Sequence, residues 1–153
     1  MSDEPYLLII DSRFYEDIAD ELVKGAIAAI EAGEASYTRV SVPGAFEIPA
    51  AVRFAVRSME LVGGRRRYDG YVLLGCVIRG ETDHYERISQ ESIRAISDLT
   101  VQYSLAVGLG VLTCDTHEQA IVRAAVNQGN KGGAAAEAAL HMIRVKRSFV
   151  PPR

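Results

Sequence analysis

Two cysteines in 153 residues, no apolar run long enough to cross a bilayer and no excess of basic charge set the first limits on this chain. Cys76 lies inside one apolar run and Cys114 at the end of another, which makes neither a Cys-x-x-Cys redox pair nor a metal spacing. Both are expected to be buried thiols, and a reducing cytoplasm is the expected compartment. No stretch approaches the roughly 20 apolar residues that span a membrane. The acidic N-terminus reaches its first apolar run at Tyr6, so no secretion signal is expected. With a formal charge of −3 the chain lacks the concentrated basic face that nucleic acid or an anionic membrane requires. Its one basic run, Arg65 to Arg67, is bracketed by Gly63-Gly64 and Asp69-Gly70 and reads as a solvated turn. Gly108-Leu109-Gly110 lacks the third glycine of a dinucleotide fingerprint, there is no Walker loop, and His117-Glu118 is followed by Ile121 where a zinc-protease helix needs histidine. No metal site is expected.

What is present is enough apolar sequence for one domain: 48% hydrophobic against 24% charged residues. Tyr6 to Ile10 has strand length, and Ile18, Leu22, Ala26 and Ile30 then recur on one helical face that Gly33 ends. Ser36 to Val42 is a second expected strand, stopped by Pro43-Gly44. Phe46 to Met59 returns to helical spacing with Pro49 in its first turn. Tyr71 to Ile78 is apolar almost throughout, as a strand covered on both faces should be. Tyr85 to Tyr103 places Ile88, Ala95, Ile96, Leu99 and Tyr103 along one stripe. A fourth unit follows: a strand from Leu105 to Leu112, a helix capped by Asp115 or Thr116 that runs through Val126, and a last helix from Ala134 to Val145 after a glycine-rich break. Four strand-helix units predict a three-layer α/β/α sandwich around a four-stranded parallel sheet, with ligands gathering where the strands end.

The loops at those ends carry the chemistry. The segment LGCVIRGETDHYERI, Leu74 to Ile88, runs from an apolar strand through Arg-Gly to a helix start, where free amides can hold an anion and His84 can move protons near neutral pH. Gly80 permits close approach, and Glu81 and Thr82 supply amides and a hydroxyl; a histidine with no catalytic role is the plain alternative for His84. Phe14, after Ser12-Arg13, either stacks on a flat heterocycle or packs against the first helix. Glu47 either accepts hydrogen bonds from ligand hydroxyls or complements a helix dipole. Arg123 lies seven residues after Thr116, two turns along one face, where its guanidinium either meets a phosphate or is an ordinary surface charge. Lys131 either adds to that positive site or decorates a turn.

Five blocks in order, SRF at 12 to 14, VPGAFEIP at 42 to 49, GCVIRGETDH at 75 to 84, GVLT with EQAIVRA ending at Ala124, and NKG at 130 to 132, make nearly the whole chain resemble the lumazine synthase family. The resemblance implies a flavodoxin-like fold and the condensation of 5-amino-6-(ribitylamino)uracil with 3,4-dihydroxy-2-butanone 4-phosphate to 6,7-dimethyl-8-ribityllumazine, without a cofactor. It implies that Phe14 stacks on the pyrimidine, that Ala45, Phe46 and Glu47 bind the uracil with Glu47 on the ribityl chain, and that Cys76, Val77 and Ile78 give backbone contacts. Glu81, Thr82 and Arg123 would hold the phosphate with Lys131 in support, and His84 would shuttle protons. Two positions depart from the family: Tyr15 replaces a common asparagine, and Leu109 stands where many members set phenylalanine against the heterocycle. The resemblance further implies a homopentamer with sites between neighbours, in some members a 60-subunit shell. The alternatives on the same scaffold are an archaeal-type riboflavin synthase and a non-catalytic flavin- or lumazine-binding protein.

Overall fold

The structure, a computed structural model, describes residues 3–61, 68–80 and 85–149. The basic run Arg65 to Arg67 lies outside the described residues. Strands β1 (Tyr6–Ser12), β2 (Ser36–Val42), β3 (Gly70–Ile78) and β4 (Val107–Cys114) alternate with helices α1 (Glu16–Ala32), α2 (Ile48–Leu61), α3 (Tyr85–Gln102), α4 (His117–Ala124) and α5 (Lys131–Ser148). All strand pairs are parallel and the sheet order is β2-β1-β3-β4. A parallel pair needs a crossover between its strands, so the connecting helices come to lie on the sheet faces.

Period-2 alternation divides the core into two layers. Along β1 and β3, Leu7, Ile9, Val72, Leu74, Cys76 and Ile78 face α1, α4 and α5, while Leu8, Ile10, Tyr71, Leu73 and Val77 face α2 and α3. Every residue of β3 is buried, which is why its sequence shows no polar alternation. β2 is an edge strand, mostly exposed, and its inner attachment is polar. Asp11 of β1 is fully buried and its carboxylate accepts hydrogen bonds from Arg39 Nε (2.9 Å) and Ser41 Oγ (3.1 Å) of β2, and from Arg13 Nη1 (3.3 Å). The Asp11 hydrogen bond holds the Arg39 guanidinium above its ordinary pKa. A one-residue slip of β2 would turn Arg39 and Ser41 away and strand a buried charge, so this cluster specifies the register.

Several element boundaries differ from the sequence expectation: β1 runs on to Ser12, α2 spans Ile48–Leu61 where Phe46 to Met59 is expected, and α5 ends at Ser148 where Val145 is expected. α5 begins at Lys131, not Ala134, so Gly132 and Gly133 belong to its first turn. Asn130, in the left-handed region at φ 46°, caps it by accepting a hydrogen bond from the Gly133 amide. The glycines are there for packing: a Cβ on Gly132 would stand 1.9 Å from the Leu22 carbonyl oxygen of α1. β4 runs two residues later than expected, and Gly108 lets α5 lie against it, with a Cβ at that position 1.7 Å from the Ala135 carbonyl oxygen. α4 stops at Ala124, where Ala125 leaves helical geometry; at its start Thr116 caps by accepting from the Gln119 amide.

Gly108→Ala is expected to force α5 off the sheet and destabilise the fold by about 1–3 kcal/mol, the usual cost of overpacking. Urea unfolding checks this, and a midpoint equal to the parent's would contradict the close α5–β4 contact.

Candidate active site

In the order β2-β1-β3-β4 the chain leaves β1 first to one side and then to the other, so β1 and β3 flank the switch point where open α/β sheets bind ligands. A cleft of about 200 Å³ lies at the carboxyl ends of β1, β2 and β3. Phe14 and Tyr15 after β1, Gly44 to Glu47 after β2, Cys76 and Val77 of β3, and Ile88 of α3 line it.

Each wall is fixed by local chemistry. The Arg13 amide donates to the Val42 carbonyl (2.9 Å), and its guanidinium bridges Asp11 and Asp20 (2.6 Å), so Phe14 follows an anchored residue. Phe14 is 70% exposed and lines the cleft, so its ring is not buried in the core. On the second wall Ala45 is buried under α2 and α3, and the Glu47 amide donates to the Gly44 carbonyl (3.1 Å). A Cβ on Gly44 would lie 3.3 Å from Glu47 Oε1, so the carboxylate folds back over a backbone stripped of its side chain. Glu47 lies just before α2 as well as in the cleft, a position open to either expectation. Next to Cys76, Gly75 lets the end of β1 approach: a Cβ there would meet Ser12 Oγ at 2.5 Å, and that buried hydroxyl has no hydrogen-bond partner among the described residues.

Cys76 lines the cleft, yet its thiol is pushed up to about 12, first by burial and then by the neighbouring Cys114. A thiol that holds its proton so firmly is a poor nucleophile, which leaves the backbone as what Cys76 offers a ligand. Ile78 is buried and is not among the cleft-lining residues. Beyond it Gly80 adopts φ 85°, a left-handed turn that favours glycine. The Arg79 amide ties this turn to the Cys114 carbonyl at the end of β4 (2.8 Å). Glu81, Thr82 and His84 lie outside the described residues.

Leu109, Arg123 and Lys131 do not line this cleft. Leu109 is 43% exposed on the face of β4 opposite α5; Arg123 is exposed and donates to the Thr113 carbonyl (3.3 Å) and Cys114 Sγ (3.3 Å); Lys131 is exposed at the start of α5. Tyr15, Gly44 and Ile88 were not among the expected site residues. Ile88 was legible as part of a helical stripe, though nothing local told stripe from cleft, and Tyr15 could have been suspected from its place beside Phe14. Among the described residues no three His, Cys, Asp or Glu side chains gather as metal ligands, and no helix is long and apolar enough to cross a membrane.

A parallel sheet whose switch point carries an exposed aromatic ring and a carboxylate is the small-molecule site of an α/β protein of the doubly wound type. The 6,7-dimethyl-8-ribityllumazine synthase family profile matches residues 5–147. The chain is 52% identical to the 6,7-dimethyl-8-ribityllumazine synthase of Bartonella tribocorum over 149 residues, covering 97% of this chain and 95% of its relative. It is 50% identical to that of Bartonella bacilliformis (95% and 92% covered) and 51% identical to that of Methylorubrum populi (93% and 83% covered). The chain belongs to the 6,7-dimethyl-8-ribityllumazine synthase family. These names support the synthase over a riboflavin synthase or a storage protein.

Cys76 in the folded protein is expected to react with iodoacetamide at pH 8 about three powers of ten more slowly than a free cysteine, since a thiol pKa raised on folding starves the reaction of thiolate. Mass spectrometry of the alkylated protein measures this; modification at the rate of an exposed thiol would refute the burial argument.

Proposed function

We propose that this chain is a transferase of riboflavin biosynthesis that condenses 5-amino-6-(ribitylamino)uracil with 3,4-dihydroxy-2-butanone 4-phosphate, releasing phosphate and water to give 6,7-dimethyl-8-ribityllumazine. The observation that carries the reading is the convergence of Phe14, Ala45 to Glu47 and the Cys76-Val77 strand end on one cleft. Phe14 stacks on the pyrimidine, Glu47 accepts from the ribityl hydroxyls, and the strand-end backbone reads the uracil edge. Glu81, Thr82 and Arg123 hold the phosphate, with Lys131 in support, and the position of Gly80 in the left-handed region suits a turn that brings backbone amides to an anion. His84 relays protons as the ring amine attacks the ketone, the imine forms with loss of water, and phosphate departs. Holding both reactants in register supplies much of the acceleration, and no cofactor takes part.

The site is shared between copies. Leu109 and Arg123 stand apart from the cleft, and the outer face of β4 carries Leu109 in solvent with Val107 and Val111 half-covered. A homopentamer that sets this face against a neighbour's cleft lets Leu109 close over the heterocycle and Arg123 reach the phosphate; twelve such rings make the 60-subunit shell of some relatives. The compartment is the cytoplasm, in keeping with two buried, unpaired thiols.

An assay that follows lumazine absorbance with both substrates, on protein whose mass is measured in solution, tests the activity and the assembly together. Product formation by a particle of five subunits or a multiple of five is expected; an inactive or monomeric protein would overturn the reading. His84→Ala is expected to keep its affinity for the uracil substrate within about threefold while turnover falls by about 10²–10⁴, the range of general acid-base catalysis. Unchanged turnover would remove His84 from the mechanism.

A further inference from the structure

An exposed phenylalanine has little of the core to fix its torsions, and Phe14, on the rim of the cleft, is 70% exposed. Among the described residues its ring pairs with that of Tyr15. The two rings meet edge-on, with centroids 4.9 Å apart and planes at 72°. Tyr15 is itself braced: it packs on the core beneath α1, its carbonyl accepts the Ala19 amide (2.9 Å), and its ring meets that of His117 at 6.5 Å and 66°. His117, at the start of α4, places Nε2 2.9 Å from the Asp17 carboxylate of α1. Phe14, Tyr15, His117 and Asp17 thus form a strut from the cleft rim to the two helix starts behind it.

We infer that Tyr15 is a positioning residue for the uracil substrate, holding the plane of the Phe14 ring ready for a flat heterocycle. The inference rests on the reaction proposed above and adds to it a residue that touches the substrate's partner ring through its own. Fixing a ring before binding removes an ordering cost from the binding step, and an edge-to-face pair is of a size that changes an equilibrium constant by about three- to tenfold. Because the contact is built into the protein before any ligand arrives, it acts on binding of the uracil and not on the chemical step.

The test compares Tyr15→Leu, Tyr15→Phe and His117→Ala with the parent by steady-state kinetics in each substrate and by calorimetric binding of 5-amino-6-(ribitylamino)uracil. Tyr15→Leu is expected to raise both KM and Kd for the uracil about three- to tenfold, with kcat and the KM of the butanone phosphate within twofold. Tyr15→Phe keeps the ring and is expected to bind as the parent does; His117→Ala loosens the brace and is expected to weaken uracil binding about two- to threefold. Equal changes in both KM values, or uracil binding unchanged in Tyr15→Leu, would overturn the inference. Should Tyr15→Leu fail to fold, parent-like binding by His117→Ala would do the same. A parent that binds the uracil but makes no product would sink the reaction and leave the binding comparison to decide the role of Tyr15; a parent that does not bind it sinks both.

Discussion

The buried carboxylate of Asp11 is the constraint on which the cleft depends. A charge at full burial is tolerated only when its partners are fixed, and here the partners come from the neighbouring strand and from the residue just before Phe14. The ends of β1 and β2 are thereby locked in one register, and the two segments that leave those ends become the facing walls of the site. The aromatic wall and the Gly44–Glu47 wall are placed by electrostatics one layer below them.

Alternating strand and helix patterns are strong in this sequence because β1 and β3 are buried on both faces and the helices are buried on one. The sheet, its layers and the loops that gather at its carboxyl edge were therefore legible. What local reading missed has a tertiary cause in each case. Gly132-Gly133 looks like a break until the approach of α1 is known, and Gly108 looks like a weak point in a strand until α5 is laid on it. Phe14 was undecidable between rim and core because the same residue type serves both, and only the folded chain shows its ring exposed. The carboxylate of Asp11, the polar tie between two strands, carries no signal in a single strand's pattern at all.

The candidate site was legible as a set of residues and not as a place. Phe14, Ala45, Phe46, Glu47, Cys76 and Val77 come together, whereas Leu109, Arg123 and Lys131 are held elsewhere on the same fold. Geometry inside one chain explains the division: β4 is the far edge of the sheet from β2, with β1 and β3 between them, so a residue on the outer face of β4 is not a neighbour of the loop after β2. α4 connects the two halves, with His117 near its own cleft and Arg123 at the open end of β4. In the account proposed here, assembly is part of the chemistry, because each chain carries half of two sites.

Subunit complementation tests that claim most directly. Glu47→Ala removes a group from the cleft and Arg123→Ala removes one that stands apart from it, so each variant alone should be nearly inactive. Unfolded together in equal amounts and reassembled, they should regain about a quarter of the parent activity, the fraction of neighbour pairs that join an intact cleft to an intact Arg123 in a cyclic assembly. A mixture no more active than the separate variants would place the whole site within one chain and contradict the account.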